Sequence, residues 1–251
     1  MWNKPQLMIA LSDLLLAAAV SALLLAVVIW GARQPLFPLH EVVVMNPLRE
    51  VRQGEIELAL SGRLRGNFFS VNLESLRQSL EQLPWVRRAE MRRQWPGRLE
   101  VKIEEHVPVA YWGQGAGQLV NAHGEVFAAV MSVQPATPLP LLSGPAGMAQ
   151  ETLAHFRQAE ETLKPIGREP RALQVSQRLA VQVRLDDGVL VQLGRQQAKT
   201  PVKERLERFV THYQTAMTVA RQKPAVVDMR YPNGFALRVS VAPVIESKGK
   251  P

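Results

Sequence analysis

The spacing of apolar positions changes several times along the chain, and each change predicts an element. Residues 14–32 (LLLAAAVSALLLAVVIWGA) are nineteen uncharged positions in a row. At about 1.5 Å rise per residue they form a helix of roughly 28 Å, close to the hydrocarbon thickness of a bilayer. Residues 40–45 (HEVVVM) are β-branched enough for a strand, and in residues 53–60 a helical pattern puts Ile56 and Leu60 four apart. Asn72 is placed as an N-cap before a second helix whose Leu73, Leu76, Leu80 and Leu83 share one stripe, with Pro84 as its stop. Two strands follow around Trp95-Pro96-Gly97, which is turn chemistry. In the second strand Leu99, Val101 and Ile103 alternate with Glu100, Lys102 and Glu104, which predicts one buried and one wet face. The order is β-α-α-β-β.

Further on, residues 107–111 alternate, and residues 119–121 and 125–129 flank an Ala122-His123-Gly124 turn. The proline-rich stretch 133–148 reads as a loop, and residues 152–164 and 201–221 as helices. In the latter, Val202, Leu206, Phe209, Tyr213 and Met217 form an apolar stripe. Between the helices lies a hairpin: Leu179, Val181, Val183 and Leu185, then Asp186-Asp187-Gly188, then Val189, Val191 and Leu193. A last pair joins Val227, Met229 and Tyr231 to Phe235, Leu237, Val239 and Val241 through Pro232-Asn233-Gly234. These patterns predict an α+β chain: a membrane helix, a small β-α-α-β-β domain, and a mostly antiparallel sheet with two helices.

A cleaved secretory signal is the competing reading of the first apolar run. Such signals have about 7–15 apolar residues and a small residue at the cleavage site. This run is longer, and Trp30 stands where a small side chain is needed, so an uncleaved anchor is expected. Asp13 is placed at the interface, which gives a tail over residues 1–13, a transmembrane helix over 14–32 and a stiff linker over 33–38. Domains over 39–106 and 107–243 and a flexible tail over 244–251 follow. Lys4 opposes Asp13 on one side and Arg33 stands on the other, so charge specifies orientation weakly; the usual behaviour of N-terminal anchors puts the N-terminus in the cytoplasm. The net charge of +8 is uneven, +1 over residues 34–106 and +6 over 107–251. Those later basic residues are scattered and not interleaved with aromatics, so no nucleic-acid partner is expected. With no cysteine, the chain has neither a disulfide nor a thiolate metal site.

Chemistry leaves little trace. The five histidines lie far apart, the glycines of WGQGAGQ (112–118) are followed by a strand rather than a helix, and no nucleophile or phosphate-binding motif occurs. No catalytic, cofactor-binding or metal-binding residue is assigned, no cofactor or small-molecule substrate is expected, and an enzyme is disfavoured. The terminal strand is the suggestive feature: with Arg238 its single charge, it could accept a partner's extended segment if it lies at a sheet edge. An interior or shielded strand is the other possibility.

Several segments carry a family resemblance: PLFPLHEV (35–42), GNFFSVNL (66–73), LPWVRRAEMRRQWPGRLEVKIEEHVP (83–108), LVNAHGEVF (119–127), LGRQQ (193–197), ERLERFVTHY (204–213) and DMRYPNGFALRV (228–239). With the β-α-α-β-β order after a single anchor, they resemble the FtsQ/DivIB family of bacterial cell-division proteins and its POTRA domain. The resemblance implies a non-enzymatic inner-membrane scaffold with a periplasmic C-terminal region, working at the division septum among other divisome proteins. It also implies that the C-terminal region docks the small division proteins FtsB and FtsL. By motif, Arg230, Tyr231, Asn233 and Gly234 match the family's turn segment and Phe235, Leu237 and Val239 its final strand; Val239 stands where some relatives are expected to carry a bulky aromatic. Arg178, before the hairpin, could give an acidic partner a second positive contact. A secretion or outer-membrane assembly role, which POTRA modules also serve, fits less well, because the second half has two helices and too few strands for a barrel.

Overall fold

The long apolar run forms one uninterrupted helix, α1 (Pro5–Arg33), in a computed structural model that describes residues 5–33, 38–64, 66–113, 117–133, 135–219, 224–231 and 234–239. The segment Met8–Gly31 is long and apolar enough to cross a membrane. The helix starts nine residues before the expected Leu14, since Leu7 to Ala10 extend its apolar pattern; Asp13 therefore sits inside it. Most of the expected linker, residues 34–37, and the expected tail from 244 lie outside the described residues, as does Val241.

The first folded domain has β1 (Glu41–Val44), α2 (Gln53–Ser61), α3 (Leu73–Glu81), β2 (Val86–Gln94) and β3 (Arg98–Glu105). Its sheet order is β1-β3-β2, with β1 parallel to β3 and β2 antiparallel to it. Asn72 caps α3 as expected, its side chain accepting the Ser75 N–H at 3.1 Å. Leu76 and Leu80 of α3 and Ile56 and Leu60 of α2 pack into a core with Leu99, Val101 and Ile103. The wet face expected for β3 is only partly so. Glu100 is 7% exposed, because Arg92 lies directly opposite it on β2 and its guanidinium covers the carboxylate. Glu105 ends the domain by accepting the N–H groups of Arg49, Glu50 and Val51 at 2.7–3.0 Å. Contacts divide the chain between Glu105 and His106.

The second domain has twelve described elements: β4 (Pro108–Trp112), β5 (Gln118–Asn121), β6 (Val126–Ala128), β7 (Leu141–Ser143), α4 (Ala149–Leu163) with a following 3-10 turn (Lys164–Ile166), β8 (Pro170–Val175), β9 (Ala180–Leu185), β10 (Leu190–Arg195), α5 (Val202–Val219), β11 (Pro224–Asp228) and β12 (Ala236–Val239). Nine strands form one sheet in the order β12-β11-β10-β9-β8-β7-β4-β5-β6. Five of the eight pairings are antiparallel; β10–β11, β7–β8 and β4–β7 are parallel, so the sheet is mixed.

Three expectations are corrected here. The stretch read wholly as a loop contains β7, whose Leu142 is fully buried between β4 and β8. Leu179 does not join the buried row of its hairpin; it takes φ +59° in the preceding turn and is half exposed. The last pair is shorter than expected, with Met229 and Tyr231 beyond β11 and Phe235 before β12. Helices α4 and α5 pack together over the sheet through Leu153, Phe156, Leu163, Leu206 and Phe209.

Candidate partner-docking edge

Backbone alternation shows what β12 presents. The Met229 N–H donates to the Gln192 carbonyl of β10 at 2.9 Å. Successive residues of a strand turn their main-chain groups to opposite sides, so Val226 and Asp228 aim theirs at β12. They stand opposite Arg238 and Ala236. Leu237 and Val239 therefore direct their N–H and C=O groups away from β11. Among the described residues β11 is the only sheet neighbour of β12, so those groups lie on an outer edge. Leu237 also packs against the core, whereas Ala236 and Arg238 are exposed.

Two arginines of α5 secure the approach to this edge. Arg205 is 2% exposed and donates to the carbonyls of Leu193, Arg195 (2.7 Å) and Thr200 (2.6 Å). Burial, and secondarily the charge of Arg208, push its guanidinium below the usual arginine value. Arg208 donates to the carbonyls of Met229 (3.2 Å) and Tyr231 (2.8 Å), fixing the segment that leads into the turn. Arg230 folds back on Asp228 with contacts of 2.6 and 2.8 Å. That hydrogen-bonded pairing holds the Asp228 carboxyl below its ordinary range, against a smaller opposing effect of burial. Gly194 takes φ +75° beneath this pair, and a Cβ there would come within 2.9 Å of the Arg230 Cγ. Only glycine allows the Arg230 stem to lie so close to β10.

The expected site residues are partly gathered. Arg178, in the turn before β9, lines one cleft of about 670 Å³ with Arg195, Arg205 and Arg230, so residues 52 apart in sequence share a basic hollow. Tyr231 is 55% exposed, and Gly234 and Phe235 are half-buried, with the Phe235 ring 6.3 Å from that of His212. Asn233 lies outside the described residues. The sequence reading missed Arg205, Arg208 and Gly194. Their signal was weak: two arginines on an amphipathic helix look solvated, and one glycine in a strand suggests only a bulge. Among the described residues no group of three His, Cys, Asp or Glu side chains is arranged to hold a metal ion.

A membrane-type helix, a small three-stranded domain and a large mixed sheet whose last strand has one sheet neighbour among the described residues define the architecture of the chain. Residues 37–106 match the family profile described as POTRA domain, FtsQ-type, and residues 110–230 that of Cell division protein FtsQ/DivIB, C-terminal. The chain is 34% identical over 240 residues to the cell division protein FtsQ of Burkholderia pseudomallei, covering 96% of this chain and 95% of the relative. It is 34% identical to FtsQ of Nitrosospira multiformis, covering 95% and 99%, and 31% identical to FtsQ of Bordetella pertussis, covering 100% and 98%. The chain belongs to the FtsQ/DivIB family of cell-division proteins. It is a membrane-associated member of the division machinery, with a POTRA domain in its first half.

Proposed function

We propose that this protein is a non-enzymatic, single-pass inner-membrane scaffold at the division septum, with its N-terminus in the cytoplasm and its folded domains in the periplasm. Its C-terminal edge recruits small bitopic division proteins of the FtsB and FtsL type and links them to septal wall synthesis. The observation that carries this reading is the outermost position of β12, with the main-chain groups of Leu237 and Val239 directed away from the sheet. A partner's extended segment would complete that ladder; main-chain bonds give affinity and alternating side chains give specificity. The cleft of Arg178, Arg195 and Arg230 lies beside the turn into β12 and suits an acidic residue of the partner. Tyr231, Gly234 and Phe235 shape the entry to the edge, and Asn233, outside the described residues, belongs to the same proposed contact by its place in the sequence.

Co-purification of the full-length chain with an FtsB-type partner tests the assignment. Tyr231→Asp is expected to abolish capture, because the ring is exposed and its removal leaves the core intact. Arg178→Glu is expected to weaken capture more mildly. Undiminished capture by Tyr231→Asp, with unchanged circular dichroism and thermal unfolding, would refute the docking site.

A further inference from the structure

The POTRA sheet determines which end of that domain faces the bilayer. The chain leaves α1 at Arg33, and Pro38 follows five residues later. At no more than about 3.6 Å per residue, five residues span at most ~18 Å. Strand β1 runs parallel to β3 with Glu41 opposite Arg98, and the His40 N–H donates to the Gly97 carbonyl at 2.8 Å. Both strands therefore begin at the end where the chain arrives from the membrane. The Trp95-Pro96-Gly97 turn, which immediately precedes β3, sits at that same end. Glu104, near the end of β3, lies roughly 20 Å away along the strand.

The side chains at the near end are unusual for a water-facing turn. Trp95 is 62% exposed and Phe69 47%, with ring centres 6.4 Å apart. Both rings rest edgewise on the buried Phe68, at 5.8 and 5.2 Å. The backbone beneath them is tied down. Asn67 Oδ1 accepts the N–H groups of Phe69 (3.1 Å) and Ser70 (2.9 Å), and Arg93 donates to the carbonyls of Phe68 (2.8 Å) and Val71 (2.7 Å). The arginines near this turn all have partners: Arg92 pairs with Glu100, Arg98 with Glu41 at 3.1 Å, and Arg93 with the carbonyls just named. Exposed tryptophan is characteristic of membrane interfaces, where a ring with an apolar body and a polar N–H lies at headgroup depth.

We propose that Trp95 and Phe69 form a second foothold in the headgroup layer of the bilayer that α1 crosses, on the side of the folded domains. This inference rests on reading α1 as a membrane anchor. The foothold fixes the orientation of the POTRA domain relative to the bilayer.

The chain has no cysteine, so single labels are clean. Full-length protein in phosphatidylethanolamine/phosphatidylglycerol nanodiscs would carry a fluorophore at Gln94→Cys, Glu104→Cys or Ala18→Cys, with nitroxide quenchers on lipid headgroups or acyl chains. The label at Ala18 should be quenched by the acyl-chain nitroxide. The label at Gln94 should be quenched by the headgroup nitroxide several-fold more strongly than the one at Glu104. Combining Trp95→Ser with Phe69→Ser should bring the Gln94 signal down to the Glu104 level, while Trp95→Tyr, which keeps an amphipathic ring, should preserve it. Equal quenching at 94 and 104 with Ala18 quenched, or a Gln94 signal indifferent to the double substitution, would overturn the foothold and leave the anchor standing. An unquenched Ala18 would overturn the anchor reading and the foothold with it.

Discussion

β2 and β12 are both outermost strands with one sheet neighbour among the described residues, yet their chemistry is opposite. β2 places Arg87, Arg88, Glu90, Arg92 and Arg93 along nine residues, and Arg87 and Arg92 reach across to Glu104 and Glu100 of β3. Adding another chain there would mean stripping water from a row of charges. β12 has Arg238 as its single charge and turns two sets of main-chain groups outward. Proteins normally blunt such edges with charge, proline or a covering element. Among the described residues the POTRA edge follows that rule and the C-terminal edge carries a single charge, which is the contrast the proposed docking site predicts.

Several substitutions break or sharpen that contrast. The largest effect is expected from Arg205→Ala, which would leave the buried carbonyl of Leu193 and the part-buried carbonyls of Arg195 and Thr200 without their donor. One unmet buried group costs about 1–3 kcal/mol and the lost packing of the buried side chain adds to it, so thermal unfolding should show a loss of about 2–3 kcal/mol. Leu237→Pro should come next. Its missing N–H faces outward, so the β11 ladder survives while a partner loses one bond and meets the ring; titration should show roughly 10- to 100-fold weaker docking. Gly194→Ala should cost about 1–3 kcal/mol of stability through positive φ and displacement of Arg230, and should weaken docking with it. On the charged edge, Arg87→Ala should change stability by no more than about 1 kcal/mol, because the Glu104 partner is half exposed.

pH dependence should be the smallest effect in the physiological range. The Asp228 carboxyl is held below its ordinary value by Arg230. Its contribution is therefore complete above the unfolded value of about 3.9 and is lost only as pH falls through the lowered folded one. Docking followed from pH 9 to 5 should not reveal this pair, whereas unfolding followed below pH 4 should.

Much of this fold was legible from periodicity. The alternating rows of β3, β9 and β10, the stripe of α5 and the Asn72 cap all came from local pattern, because each buries one face against one layer. Strand β7 was not legible, since three residues among prolines have no period to read, and β8 was missed because it opens on Pro170 and its burial is irregular. The three parallel pairings were invisible for a different reason: they join strands through intervening helices or loops, and register is set by the assembled core. At the candidate site, the place of Leu237 in the last strand was legible from its alternation. The meeting of Arg178 with Arg230 was not, because it depends on β10 lying between β9 and β11 so that the turn before β9 and the segment after β11 reach one cleft.

Hydrogen exchange at the β12 amides tests the central claim most directly. In the protein alone, the Leu237 and Val239 amides should exchange close to the rate of an unstructured chain while Arg238, bonded toward β11, is protected; a strand-donating partner should then protect all three. Leu237 and Val239 amides already protected without any partner would contradict the account, because the edge would be closed.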